Sequence, residues 1–369
     1  MKPFKFGEVV QVEFQCPRPA LLKTMLGHLQ DGGKVLLLGE RRMGKTSFIC
    51  HAVAPALKQR LFMVSLWGVK SADELTAQIR AALVRLRRES PVFQKAKRFL
   101  ATRVTAGIDI GMLAAQSLPA DSGNPVILEQ LLDELYAEHK DSPVLAVWDE
   151  FQEILKLPDG NGLVGRLRNS IQHFSGMAHV FAGSDRNRMH GIFNDPASPF
   201  FKGAATIVFD KIDKGEFAAW IQKRFARAGI TVGDELMDGI FKMTSSVSGD
   251  VQQLCNALWI VARQGEKLSL GHLEQALREI WAGESRSYEA TIEEATDIQW
   301  RCLKTLALYP DKPVAGAEFV KLAGVGTPSS VARALNGLVA RNVLNKSAAT
   351  YAFINPFFME WIRKSARPA

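Results

Sequence analysis

The sequence predicts an α/β fold. It reads as an αβα sandwich with a mainly parallel sheet, followed by a helical lid and a C-terminal winged helix-turn-helix domain. Three observations predict it. Short apolar runs at 35–38, 61–66, 144–148, 178–182 and 205–209 alternate with helix-period segments, the pattern of parallel strands covered on both faces. The first run leads straight into Gly39-Glu40-Arg41-Arg42-Met43-Gly44-Lys45-Thr46. That is G-x-x-x-x-G-K-[ST] between a strand and a helix, a phosphate-binding loop and so a P-loop NTPase core. After Asp210 the pattern becomes all-helical, and the chain closes on three helical segments and a hairpin.

The elements follow in order. Residues 1–19 form an N-terminal segment, and Pro19 opens a helix that ends at the Asp31-Gly32-Gly33 turn. The core, 20–210, continues with the strand at 35–38, the loop, and a helix from Thr46 to about Leu57. Ser71 can cap a helix over 72–88, whose apolar face carries Leu75, Ile79, Ala82, Leu83 and Leu86. Arg85, Arg87, Arg88, Lys95, Lys97, Arg98 and Arg103 then form a basic cluster, read either as a solvated helix face or as a nucleic-acid or partner contact. The stretch 102–114 is read as a strand or hairpin. Helices are expected over 126–139 and 163–174. The helical lid, 211–284, carries helix-period segments near 215–228, 234–246, 250–264 and 269–281. A linker is expected at 282–287, before a winged-helix domain at 285–369.

Composition narrows the classes. The chain has 369 residues, 47% hydrophobic and 23% charged, which is ordinary for a globular protein. No apolar run approaches the ~20 residues a membrane helix requires, and the N-terminus lacks the apolar core of a secretory signal. The four cysteines, Cys16, Cys50, Cys255 and Cys302, match no metal spacing and read as free thiols of a reducing, cytoplasmic compartment. The net charge of +8 favours polyanionic partners weakly.

The loop residues have mechanical reasons. Gly39 and Gly44 allow close approach of the main chain, and successive N–H groups from Gly39 to Ser47 line an anion site at a helix N-terminus. Lys45 supplies a point charge for the β- and γ-phosphates, and Thr46 a hydroxyl for Mg²⁺. Arg41 and Arg42 are expected to face solvent or a partner. Asp149-Glu150 ends the run 144–148 as a Walker B element: Asp149 would hold Mg²⁺, and Glu150 would orient and polarise the attacking water. Ser184, at the end of the next strand, is the first choice for sensing the γ-phosphate, with Asp185 second. Arg186 or Arg188 could serve as an arginine finger, in cis or on a neighbouring subunit.

Together these segments resemble the archaeal-type ATPase family of the AAA+/STAND group. The resemblance lies in 37–47, in Val147-Trp148-Asp149-Glu150-Phe151-Gln152, in Ala182-Gly183-Ser184 and in Ser198-Pro199-Phe200-Phe201-Lys202-Gly203. It extends through 351–363 near the end of the chain. It implies ATP as the nucleotide, while two departures from the family pattern point to slow hydrolysis or to an arginine borrowed from a partner. Members often carry an arginine near the end of the Ser-Pro segment, where this chain has Lys202-Gly203-Ala204-Ala205. Gln252 stands near the place where many AAA+ lids carry an arginine.

In the last domain Thr327 caps and Pro328 opens a helix, and 342–345 with 350–354 suggest a wing. Three helices and a wing make a winged helix. Such a domain touches double-stranded DNA or only protein. In the DNA reading, Ser329, Ser330 and Arg333 would meet bases or phosphates, and Lys346 and Arg341 the backbone. The expected function is a Mg²⁺-dependent ATP-binding and ATP-hydrolysing molecular switch, with nucleotide state controlling lid and winged-helix orientation. The alternatives are a DNA-binding factor that oligomerises on DNA with ATP, and a non-enzymatic, nucleotide-gated signalling scaffold. A protein partner or homo-oligomer is expected, and no membrane.

Overall fold

The computed structural model describes residues 2–89, 125–347 and 350–365. The expected strand or hairpin at 102–114 and the basic residues Lys95, Lys97, Arg98 and Arg103 lie outside the described residues. The chain divides into two compact units, Gly7–Lys211 and Met1–Phe6 with Ile212–Ala369.

The first unit is built on a five-stranded sheet: β1 (Lys34–Leu38), β2 (Arg60–Ser65), β3 (Val144–Asp149), β4 (Ala178–Gly183) and β5 (Ala205–Val208). Its order is β2-β3-β4-β1-β5, with every pairing parallel. The strands β3 and β4 are buried at every position, which is why they read as unbroken apolar runs. The strand order decides where chemistry can occur. Because β4 lies between β1 and β3, the end of β4 separates the phosphate loop from Asp149-Glu150.

Helix α1 (Pro19–Leu29) precedes β1. Helix α2 begins at Lys45–Phe48, widens into a π turn at Ile49–Val53 and closes at Ala54–Leu57. Pro55 explains the widening: it has no N–H to give, and its ring crowds the carbonyl four residues back. Helix α3 (Ala72–Arg88) starts at Ser71, whose side chain accepts from the Glu74 N–H. Its basic end is tied down, since Arg87 pairs with Glu134 and Glu138 of α4 (Pro125–Asp141), both at 2.9 Å. Helix α5 (Gly160–Ile171) starts three residues before the expected 163–174. Helix α6 (Arg186–Phe193) has no counterpart among the helices expected from the sequence.

The Ser198–Gly203 segment has a packing role. Phe200 is fully buried, with its ring 5.8, 5.2 and 5.3 Å from those of Phe151, Phe181 and Phe193. Phe200→Ala is expected to cost about 3–5 kcal/mol. That would lower the melting temperature by roughly ten degrees in thermal unfolding. Phe151 directly follows Glu150, so the same cluster anchors the site.

The second unit holds α7 (Lys214–Ala226), α8 (Asp234–Thr244), α9 (Ser248–Val261) and α10 (Leu270–Glu293), with a two-residue parallel pair, β6 (Thr231–Val232) and β7 (Lys267–Leu268). The N-terminal segment belongs here in part: Phe4 is buried against Trp220 and Phe225. Gln252, the residue standing near the lid-arginine position, accepts a hydrogen bond from the Lys5 N–H at 3.2 Å.

The expected linker at 282–287 is a correction. Helix α10 runs through it without a break. Glu284 explains this: its carboxylate accepts from Gln253 of α9, from Tyr288 one turn on, and from Asn355 at 3.1 Å. The winged-helix elements follow as α11 (Asp297–Leu308), α12 (Ala317–Ala323), α13 (Pro328–Ala340), β8 (Leu344–Ser347), β9 (Thr350–Phe353) and α14 (Pro356–Ser365). Strands β8 and β9 pair antiparallel, as a wing requires. No helix among the described residues is long and apolar enough to cross a membrane.

Candidate nucleotide-binding site

The phosphate loop leaves the carboxyl end of β1, where Gly39 N–H bonds the Gly183 carbonyl at 3.1 Å. Gly44 takes φ +93°, a conformation side chains resist, and this turn opens α2. Lys45 follows at once. Its side chain is only 5% exposed, and its ammonium donates to the carbonyls of Gly39 at 2.7 Å and Glu40 at 3.0 Å. Burial pushes its pKa below the usual lysine value, against the opposing pull of Glu150 and Asp149. A cation held in a buried place by loop carbonyls is poised to exchange them for an anion.

Thr46 Oγ1 donates to Asp149 Oδ2 at 2.8 Å. Asp149 is 8% exposed, and burial first, then Glu150, raises its pKa above the usual range, while Thr46 and Lys45 oppose. Two hard oxygen donors side by side, one a desolvated carboxylate, fit magnesium, which takes few protein ligands and keeps water and phosphate oxygens. Among the described residues no cluster of three or more His, Cys, Asp or Glu side chains forms a metal cage.

Glu150 sits at φ +51°, in the left-handed region, a conformation that costs a non-glycine residue on the order of 1 kcal/mol or more. The bend drives Phe151 into the aromatic cluster and leaves the Glu150 side chain partly exposed. Its Oε2 accepts from Ser184 Oγ at 2.6 Å and from Gln152 Nε2. Gln152 Nε2 also reaches Ser184 Oγ at 3.3 Å. Sequence reasoning gives Gln152 no role, yet it is 1% exposed and braces both groups. Gly183 makes room for it, because a Cβ there would stand 2.6 Å from Gln152 Oε1.

The structure brings together Lys45, Thr46, Asp149, Glu150 and Ser184. Asp185, the second choice for sensing, caps α6 by accepting from Arg188 N–H at 3.1 Å. Arg186 and Arg188 stand exposed on the first turn of that helix, and Arg188 pairs with Asp185 at 3.5 Å. The Ser47 hydroxyl accepts from Val10 N–H at 2.9 Å, which leaves its main-chain N–H as the group on the phosphate loop side. Met43 is buried, while Glu40 and Arg42 are less enclosed, Arg42 at φ +63°. Arg41, expected to face solvent or a partner, is half-buried. Its guanidinium lies 3.8 Å from the centre of the Trp67 ring, with Nε 3.5 Å from Ser184 Oγ.

In the winged helix, Ser329 and Arg333 are exposed, and Thr327 Oγ1 lies 3.0 Å from the hydroxyls of both Ser329 and Ser330. Lys346 Nζ and Tyr351 OH both donate to Asn336 Oδ1, at 3.1 and 2.9 Å. Arg341 is engaged with Glu294 at 2.6 Å.

Residues 286–364 match the protein family described as "Probable winged helix domain". No curated protein matches the chain. Among solved structures, the Walker-type ATPase of Pyrococcus abyssi is similar at TM-score 0.64 and 16% identity, covering 96% of this chain and 97% of that one. The chain shares the fold of that Walker-type ATPase, with a P-loop-containing parallel sheet and a C-terminal winged helix. Two proteins of Aeropyrum pernix are also similar to this chain. ORC1, solved in complex with DNA, has TM-score 0.54 and 13% identity, covering 97% of this chain and 95% of that one. ORC2, solved in ADPNP-ADP complexes, has TM-score 0.50 and 14% identity, covering 94% and 90%.

Proposed function

We propose that this chain binds ATP with magnesium at the phosphate loop and hydrolyses it to ADP and phosphate, as an AAA+/STAND-type switch. The carrying observation is the convergence of Lys45, the Thr46–Asp149 pair and the Ser184–Glu150–Gln152 cluster at the carboxyl ends of β1, β3 and β4. Loop N–H groups and Lys45 grip the phosphates. Thr46 and Asp149 would hold magnesium, which would neutralise charge on the phosphoryl oxygens. Glu150 orients a water and takes its proton as the water oxygen bonds to the γ-phosphorus. The bond from phosphorus to the bridging oxygen breaks, and its electron pair leaves with ADP. Ser184 reports the γ-phosphate through the hydroxyl it shares with Glu150.

Nucleotide state would control the lid and winged helix together. The continuous α10 and the Glu284 network favour this, since they leave no joint between the two. Turnover measured alone, with duplex DNA, and across protein concentration tests the reading. Absence of magnesium-dependent nucleotide binding and turnover under all three conditions would sink it.

A second reading, a DNA-bound factor that assembles with ATP, is favoured by the exposed Ser329 and Arg333 and by Asn336, one turn on, which binds Lys346 and Tyr351 of the wing. In that case duplex affinity falls steeply with salt, and Arg333→Ala with Lys346→Ala flattens the salt slope by about one to two units. Fluorescence anisotropy at several salt concentrations measures it. An unchanged slope assigns the domain to a protein partner or homo-oligomer.

A further inference from the structure

We propose that Arg41, inside the phosphate loop, contacts the γ-phosphoryl oxygens in the transition state, and that Trp67 is its positioning residue. The inference rests on the ATP reading above and deepens it by naming a charge-stabilising group.

The geometry carries the argument. Arg41 spans from the loop to the ends of two strands. Its guanidinium lies over the Trp67 ring, just beyond β2, and its Nε approaches Ser184 Oγ at the end of β4. Ser184 donates to Glu150, so guanidinium, hydroxyl and carboxylate form one chain of contacts. In the proposed reaction the hydroxyl and carboxylate flank the attacking water. A planar guanidinium matches the oxygens of a phosphoryl group better than a lysine can. Charge spreads over those oxygens as the bridging bond breaks, which is where an arginine lowers the barrier.

A further observation agrees. Trp67 remains 48% exposed although its face holds the guanidinium, which suits a platform that an arginine can leave and regain. Among the other candidates, Arg186 and Arg188 are exposed on the first turn of α6, away from the Ser184–Glu150 contact, and 202–205 carries no arginine.

The test uses the full chain as wild type, Arg41→Ala, Arg41→Lys, Trp67→Phe and Trp67→Ala. Turnover is measured beside titrations with a fluorescent ADP, with ATPγS, and with Mg-ADP plus aluminium fluoride, a mimic of the transferring phosphoryl group. Arg41→Ala is expected to lower kcat at least 100-fold, to change ADP affinity less than threefold, and to lose the extra affinity conferred by aluminium fluoride. Arg41→Lys does not restore it. Trp67→Ala lowers kcat about tenfold without raising KM, and Trp67→Phe keeps most activity. The tryptophan fluorescence difference between ATPγS and ADP disappears in Trp67→Phe and in Arg41→Ala. The proposal is overturned if Arg41→Ala keeps kcat within twofold, keeps the aluminium fluoride affinity, or weakens ADP as much as ATPγS. Wild type that binds no nucleotide overturns the ATP reading as well, whereas a normal Arg41→Ala overturns this inference alone.

Discussion

Glu150→Gln is expected to bind ATP with near-normal affinity and to hydrolyse it 100- to 10,000-fold more slowly, in the range removed with a positioned general base. That factor corresponds to about 3–5 kcal/mol of barrier. The substitution is nearly isosteric, and the surroundings can accept it. Gln152 Oε1 is buried without a hydrogen-bond partner. A flip of that amide turns its oxygen toward the amide introduced at position 150, and the Ser184 hydroxyl can serve either as donor or acceptor. The left-handed turn at this position is fixed by the burial of Phe151, which the change leaves untouched. Single-turnover hydrolysis beside an equilibrium titration separates the two effects. Equal turnover by wild type and variant would remove Glu150 from the base role. Loss of ATP affinity in parallel would make it a binding residue.

The phosphate loop was legible because its chemistry is local in sequence: eight consecutive residues carry the glycines, the lysine and the hydroxyl. Asp149 and Glu150 were legible as a pair at a strand end, and the β2-β3-β4-β1-β5 order then carries Ser184 between them and the loop. The rest depended on directions that no pattern encodes. Gln152 looks like any polar residue after a strand. Its bracing position needs the left-handed turn at Glu150 and the missing Cβ at Gly183. Arg41 and Trp67 lie 26 residues apart in the chain and meet because β1 and β2, parallel in one sheet, both end at its carboxyl side. The linker reading at 282–287 followed Gly283, Ser285 and Ser287, weak helix formers. Tertiary contacts of Glu284 and Tyr288 outweighed that local preference. Phe4 and Lys5 find partners more than two hundred residues away, beyond any local reading.

Lys45→Ala is expected to weaken ATP binding at least 100-fold while leaving the nucleotide-free melting temperature within a few degrees. The two halves of this expectation have separate causes. Binding loses the one ammonium buried in the loop, and charge-assisted hydrogen bonds to phosphate contribute about 1.5–3 kcal/mol each. Two such contacts, to a β- and a γ-oxygen, account for the loss. Stability behaves differently because the free site holds Lys45 under strain of its own. Burial depresses its pKa, so the fold favours the neutral amine. Above the unfolded lysine pKa this penalty is absent, and it grows as pH falls below that value toward the depressed folded one. Removing the ammonium relieves that penalty, offsetting the lost bonds to the Gly39 and Glu40 carbonyls. Thermal unfolding with and without Mg-ATP checks both halves at once. Wild type should gain stability with nucleotide in proportion to the logarithm of its concentration over Kd, and the variant should not. A variant that melts far lower without nucleotide would show that the ammonium is structural, and one still stabilised by Mg-ATP would place the triphosphate somewhere other than this loop.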